Sequence, residues 1–144
     1  MILHAGCVAR RTSGGWAGVL ITGASGSGKS DLAMRLVAGG WLLVADDRAV
    51  LWSSGGGLFA AAPEPLSGLI EARGVGILTL PPLAFAPVRL AVHCLSPGEA
   101  GERLPDPAER QIAGVSLPAV AVNALEASAA VKLELALARQ GRFV

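Results

Sequence analysis

The stretch "ITGASGSGKSDLAMRL", residues 21–36, carries Gly23, Ala24, Ser25, Gly26, Ser27, Gly28, Lys29 and Ser30 in the order G-x-x-x-x-G-K-S. That spacing has a mechanical reason. Successive backbone N–H groups wrap a phosphate, glycines admit backbone angles closed to other residues, and Lys29 neutralises the terminal phosphate oxygens. Ser30 offers a hydroxyl to Mg²⁺, and a helix starting there points its positive end at the anion. The apolar run before the loop predicts a buried strand. After it, Leu32, Ala33, Leu36 and Val37 recur at helical spacing, and Gly39-Gly40 stops the helix. A second apolar run, residues 41–45, ends abruptly at Asp46-Asp47. Strand, loop, helix and strand within about 30 residues make an α/β unit.

Asp46 and Asp47 end a strand that follows the loop's helix, so they are expected to emerge beside the bound phosphates. One carboxylate there orients Mg²⁺ or its waters, and a second can accept a proton from an attacking hydroxyl. Glu71 and Arg73, in "IEARGVGI", are charges inside an apolar run and must be paired or bound to something. Either an exposed strand face with an ion pair or a magnesium ligand at Glu71 fits.

Composition excludes several classes of function. Of 144 residues, 52% are hydrophobic and 16% charged, yet prolines and glycines interrupt every apolar run before the ~20 residues a spanning helix needs. No basic n-region precedes an apolar segment at the N-terminus, so a cytoplasmic protein is expected. A net charge of +1, with no basic cluster and few aromatic residues, argues against nucleic acid as partner. Cys7 and Cys94 lack metal-ligand spacing and read as buried small hydrophobes.

Further along the chain, residues 53–57 read as a turn, with a short strand at 58–62. The stretch at 69–80 is strand-like with a polar interruption, and 88–95 is another strand. Residues 97–110 are polar and rich in Gly and Pro, the pattern of a mobile loop. One more strand lies within 112–122. Asn123, with Glu126 three residues on, matches a capping box and predicts a helix over 124–140.

Together these elements resemble the HPr kinase/phosphorylase family, specifically its C-terminal catalytic domain. The matching residues are "LHAG" with His4, "ITGASGSGKSD", "LVADDRAVL" and "IEARGVGIL", in the family's order. "GERL", with Arg103, and the Asn123-led helix follow more weakly. The resemblance implies a single α/β domain over residues 1–144: a P-loop nucleotide-binding domain like the phosphoenolpyruvate carboxykinase core, in the family's short form. It implies ATP-dependent phosphorylation of a serine on HPr, the small phosphocarrier of the sugar phosphotransferase system. ATP and Mg²⁺ are the implied cofactors, and a homo-oligomer, up to a hexamer, the implied assembly.

By the same resemblance Asp47 is the general base and Lys29 stabilises the transferring group. Ser30 and Glu71 are magnesium ligands, and Asp46, His4 and Arg103 complete the catalytic set. One departure concerns the reverse, phosphate-driven reaction. The family's Pro- and Arg-containing stretch reads "LPAVAVNAL" here, residues 117–125, without an arginine. Two other readings share the loop: a P-loop kinase of a small metabolite, and a nucleotide-dependent binding switch.

Overall fold

The computed structural model describes residues 1–140. Its strands are β1 (Ile2–Leu3), β2 (Gly6–Thr12), β3 (Gly15–Gly23), β4 (Leu42–Ala45), β5 (Ala49–Ser54), β6 (Gly57–Ala61), β7 (Leu69–Ala72), β8 (Gly76–Thr79), β9 (Ala86–Cys94), β10 (Ala108–Ile112) and β11 (Val115–Val122). Two helices, α1 (Lys29–Ala38) and α2 (Ala129–Ala138), complete a mixed α/β domain. The expected unit of β3, α1 and β4 is present, with one addition. Strand β2 lies between β3 and β4 and runs antiparallel to both, so β3 and β4 point the same way.

The main sheet has the order β1-β5-β6-β9-β3-β2-β4. It cannot be flat. Three residues, 46–48, join β4 to β5, a reach of at most about 14 Å. Laid flat, the intervening strand spacings would part those strands by about 24 Å. The sheet therefore curls until its ends are joined by two short links, residues 4–5 and 46–48. These run beside each other, with Leu3 paired to Ala49 on one side and Cys7 to Ala45 on the other. Strand β9 pairs with β6 along its first half and with β11 along its second.

Alternation along β3 sorts the core into two faces. Val19 and Ile21 pack with Leu32, Leu36, Leu133 and Leu137 beneath the helices. Leu20 packs inside the curl with Cys7, Leu51, Leu58 and Val88. Both cysteines are buried and free, as expected.

Three expectations are corrected. Residues 69–80 form a separate hairpin, β7 with β8, anchored by buried Ile70. The polar loop ends earlier than read, because β10 starts at Ala108 and pairs with β11. The C-terminal helix starts at Ala129 and ends at Ala138. Asn123 caps a turn instead: its Oδ1 accepts from the Leu125 N–H at 3.1 Å, and Glu126 bonds Lys132 Nζ at 2.8 Å. The reason is tertiary. Arg35 on α1 takes the carbonyls of Ala124 and Glu126, which a helix starting at residue 124 needs for its own ladder.

Burial raises the thiol of Cys7 from 9.0 to about 12, and that of Cys94 to about 11, where Lys29 and Arg35 pull the other way. Unfolded thiols ionise above about pH 9 while the folded ones keep their protons. This contribution to stability is complete below about pH 9 and is lost as pH rises towards 11 and beyond. Cys7→Ala should flatten the fall of the urea midpoint across that alkaline range. A slope equal to the wild type's would contradict the assignment.

Candidate active site

Strand β3 delivers the glycine-rich loop at its C-terminal end, and the loop's glycines are needed for space as well as for angle. At Gly23, with φ at 144°, an added Cβ would lie 2.8 Å from both the Cys94 carbonyl oxygen and Ser27 Oγ. Gly28, with φ at 96°, precedes α1, and a Cβ there would meet Ala124 and Leu125 at 3.1 Å. Lys29 Nζ donates to the carbonyls of Gly23 and Ala24, both at 2.9 Å, so the ammonium is folded back across the loop. Ser27 is buried, and its hydroxyl has no hydrogen-bond partner among the described residues. The loop thus holds a cation, an orphaned hydroxyl and the free N–H groups of a helix start, a set that fits an anion.

The two adjacent acids have different partners. Asp46 Oδ1 accepts from Ser30 Oγ at 2.7 Å, and its Oδ2 takes a long bond from the Glu71 N–H at 3.4 Å. Asp46 therefore ties the loop's helix and the β7–β8 hairpin to the end of β4. Asp47 is the middle residue of a three-residue turn, with φ at 68°, closed by the Arg48 N–H on the Asp46 carbonyl at 2.7 Å. This left-handed backbone is tolerated by Asp better than by most residues, and turns of this kind store strain. It presents the Asp47 carboxylate to His4, whose Nε2 is hydrogen-bonded to Asp47 Oδ1. The meeting follows from topology: His4 and Asp47 each occupy one of the two links that close the curled sheet.

A cleft of about 480 Å³ joins these groups. Ser25, Gly26, Gly28, Lys29 and Ser30 form its loop side, with His4 and Asp47 at one margin. Glu71 and Arg73 enter from the hairpin, Asp31 and Met34 from α1, and Leu125 from the turn after β11. Asp46 stands just behind, holding Ser30. The structure does not bring Arg103 to this cleft; it lies exposed in the segment between β9 and β10. Sequence reasoning named none of Asp31, Met34 and Leu125 as site residues, although Asp31 closes "ITGASGSGKSD" and Leu125 closes "LPAVAVNAL". It also missed Arg35, whose bonds to the turn are tertiary. Arg110 meets Thr22 Oγ1 at 2.9 Å, one residue before the loop, rather than the cleft.

Comparison with known proteins gives a consistent result. Residues 15–84 match the family model described as HPr Serine kinase C-terminal domain. The chain is 40% identical over 116 residues to the HPr kinase/phosphorylase of Limosilactobacillus reuteri, covering 73% of this chain and 36% of that protein. It is 46% identical over 66 residues to the HPr kinase/phosphorylase of Clostridium tetani, covering 46% of this chain and 22% of the other. It thus spans about a fifth to a third of these curated relatives. A solved structure of the Hpr(Ser) kinase/phosphatase from Coxiella burnetii superposes with a TM-score of 0.79 at 26% identity, over 99% of this chain and 96% of that one. The fold is a mixed α/β domain like that of the solved kinase/phosphatase. The chain is similar, over residues 15–84, to the C-terminal domain of HPr serine kinases and, over most of its length, to HPr kinase/phosphorylases.

Because Gly23 has neither room nor angle for a side chain, Gly23→Ala should destabilise the fold by about 1–3 kcal/mol. A thermal midpoint unchanged from wild type would show that the loop relaxes freely.

Proposed function

We propose that the chain is an ATP-dependent serine kinase acting on an HPr-like phosphocarrier protein, on a P-loop core of the phosphoenolpyruvate carboxykinase type. One observation carries the reading: the glycine-rich loop, the His4–Asp47 pair and Glu71 converge on one cleft. A phosphate site alone needs only the loop. The carboxylates facing it make sense when a proton must leave an attacking hydroxyl and a divalent cation stands between acid and polyphosphate.

The donor set fits Mg²⁺. Among the described residues no three His, Cys, Asp or Glu side chains converge to cage a metal unaided. Mg²⁺ is ordinarily held by one or two protein oxygens together with phosphates and water, and Ser30 and Glu71 offer that minimum. An ion held by Ser30 and Glu71 would neutralise charge on the transferring group.

The remaining work falls to this chain's own side chains. Lys29 exchanges its two carbonyl partners for phosphate oxygens. Ser27 offers its hydroxyl, and Asp46 keeps Ser30 oriented. Asp47 accepts the proton of the incoming serine hydroxyl, and His4 fixes the carboxylate's direction by its hydrogen bond. Arg73 adds positive charge from the hairpin.

Residues 117–125 place only an apolar side chain, Leu125, on the cleft, which supports the forward reaction over phosphate-driven reversal. A cytoplasmic homo-oligomer, with six copies as the family resemblance suggests, accords with exposed Val75, Ile77 and Leu135.

The test is transfer of label from ATP to an HPr-like protein in the presence of Mg²⁺. Wild type should label a serine. Asp47→Asn should cut the rate by about 10²-fold or more while leaving the Kd for ATP within about threefold. Label on a sugar or sugar acid alone, or binding without any transfer, would overturn the proposal.

A further inference from the structure

We infer that the turn at residues 123–128 is an apolar lip that packs against the nucleoside end of the nucleotide, and that Arg35 is the residue that positions it. The inference rests on the phosphate site proposed above and assigns the other end of the same ligand. Strands β3, β9 and β11 are mutually parallel, so Gly23, Cys94 and Val122 end at one edge of the sheet. The glycine-rich loop leaves β3 at this same edge. The turn leaves β11 at this edge and folds back over the loop.

Three observations place it there. Leu125 lines the cleft beside Ser25, Gly26 and Gly28, and it is 66% exposed despite being a large apolar residue. Its Cδ2 lies 3.1 Å from where a Cβ of Gly28 would stand, so turn and loop pack against each other. The turn is also held from behind. Arg35 donates Nη1 to the Glu126 carbonyl at 3.1 Å and Nη2 to the Ala124 carbonyl, while its guanidinium pairs with Asp31 at 3.0 Å.

Arg35 and Asp31 are both on α1, the helix whose start forms the phosphate loop. The phosphate site and the lip are therefore parts of one rigid piece. Leu125 carries no donor or acceptor on its side chain. It can contact a sugar or a base by packing, but it can read no particular base.

The experiment separates the two ends of the ligand by titrating ATP and inorganic tripolyphosphate, each with Mg²⁺, into the full chain. Leu125→Ser should raise the Kd for ATP about tenfold and leave that for tripolyphosphate unchanged. Arg35→Ala should give the same pattern, and Arg35→Lys, which lacks the planar fork that meets the Ala124 and Glu126 carbonyls and Asp31 at once, should not restore it. Leu125 is exposed, so its variant should keep the wild-type thermal midpoint; if Arg35→Ala does not fold, Leu125→Ala serves with it. Equal loss for both ligands, or no loss for ATP, would overturn the lip. If the wild type binds neither ligand, the phosphate site itself is wrong, and the lip falls with it.

Discussion

The link of three residues between β4 and β5 constrains everything else in this fold. It is too short to cross a flat sheet, so the sheet must curl until its ends meet. The same closure brings the β1–β2 link alongside. Two catalytic candidates far apart in sequence, His4 and Asp47, become neighbours because each sits on one of the two closing links. The left-handed backbone at Asp47 is the local cost of turning so tightly, and strain of this sort is characteristic of functional sites.

That turn also explains how two adjacent carboxylates divide their work. Asp46 is drawn back to Ser30 and the hairpin, where it braces the loop's helix against the sheet. Asp47 is turned the other way, towards His4 and the open cleft. Had both acids shared one partner, their charges would have opposed each other in a single position. Separated by the turn, Asp46 is held against the loop's helix and Asp47 lines the cleft.

What could be read in the sequence depended on how local each signal is. Strand β3, the loop, α1 and β4 were legible because their spacing and periodicity are fixed within a few residues. The buried cysteines were legible from their lack of ligand spacing. By contrast β2 and β5 went unread, since their meaning lies in long-range antiparallel pairing that no local pattern announces. His4 carried no local signal either; only its family resemblance marked it. The turn after Asn123 was misread for the opposite reason: a strong local capping pattern was overruled by the Arg35 guanidinium, on a helix some ninety residues earlier. Leu125 and Arg35 were invisible for the same reason, since their roles exist only once α1 meets the turn that follows β11. Arg103 was suggested by a short matching segment, and the structure leaves it outside the cleft.

In the proposed reaction the loop, the closing links and the hairpin act on one phosphoryl group. The most direct measurement is a crystal structure of the chain with Mg²⁺ and a non-hydrolysable ATP analogue. The terminal phosphate should lie within about 3 Å of Lys29 Nζ, with the metal between it and Ser30, and with the Asp47 carboxylate facing the open side of the phosphorus. A nucleotide bound elsewhere, or one whose terminal phosphate lies on the far side of the loop from Asp47, would contradict the account.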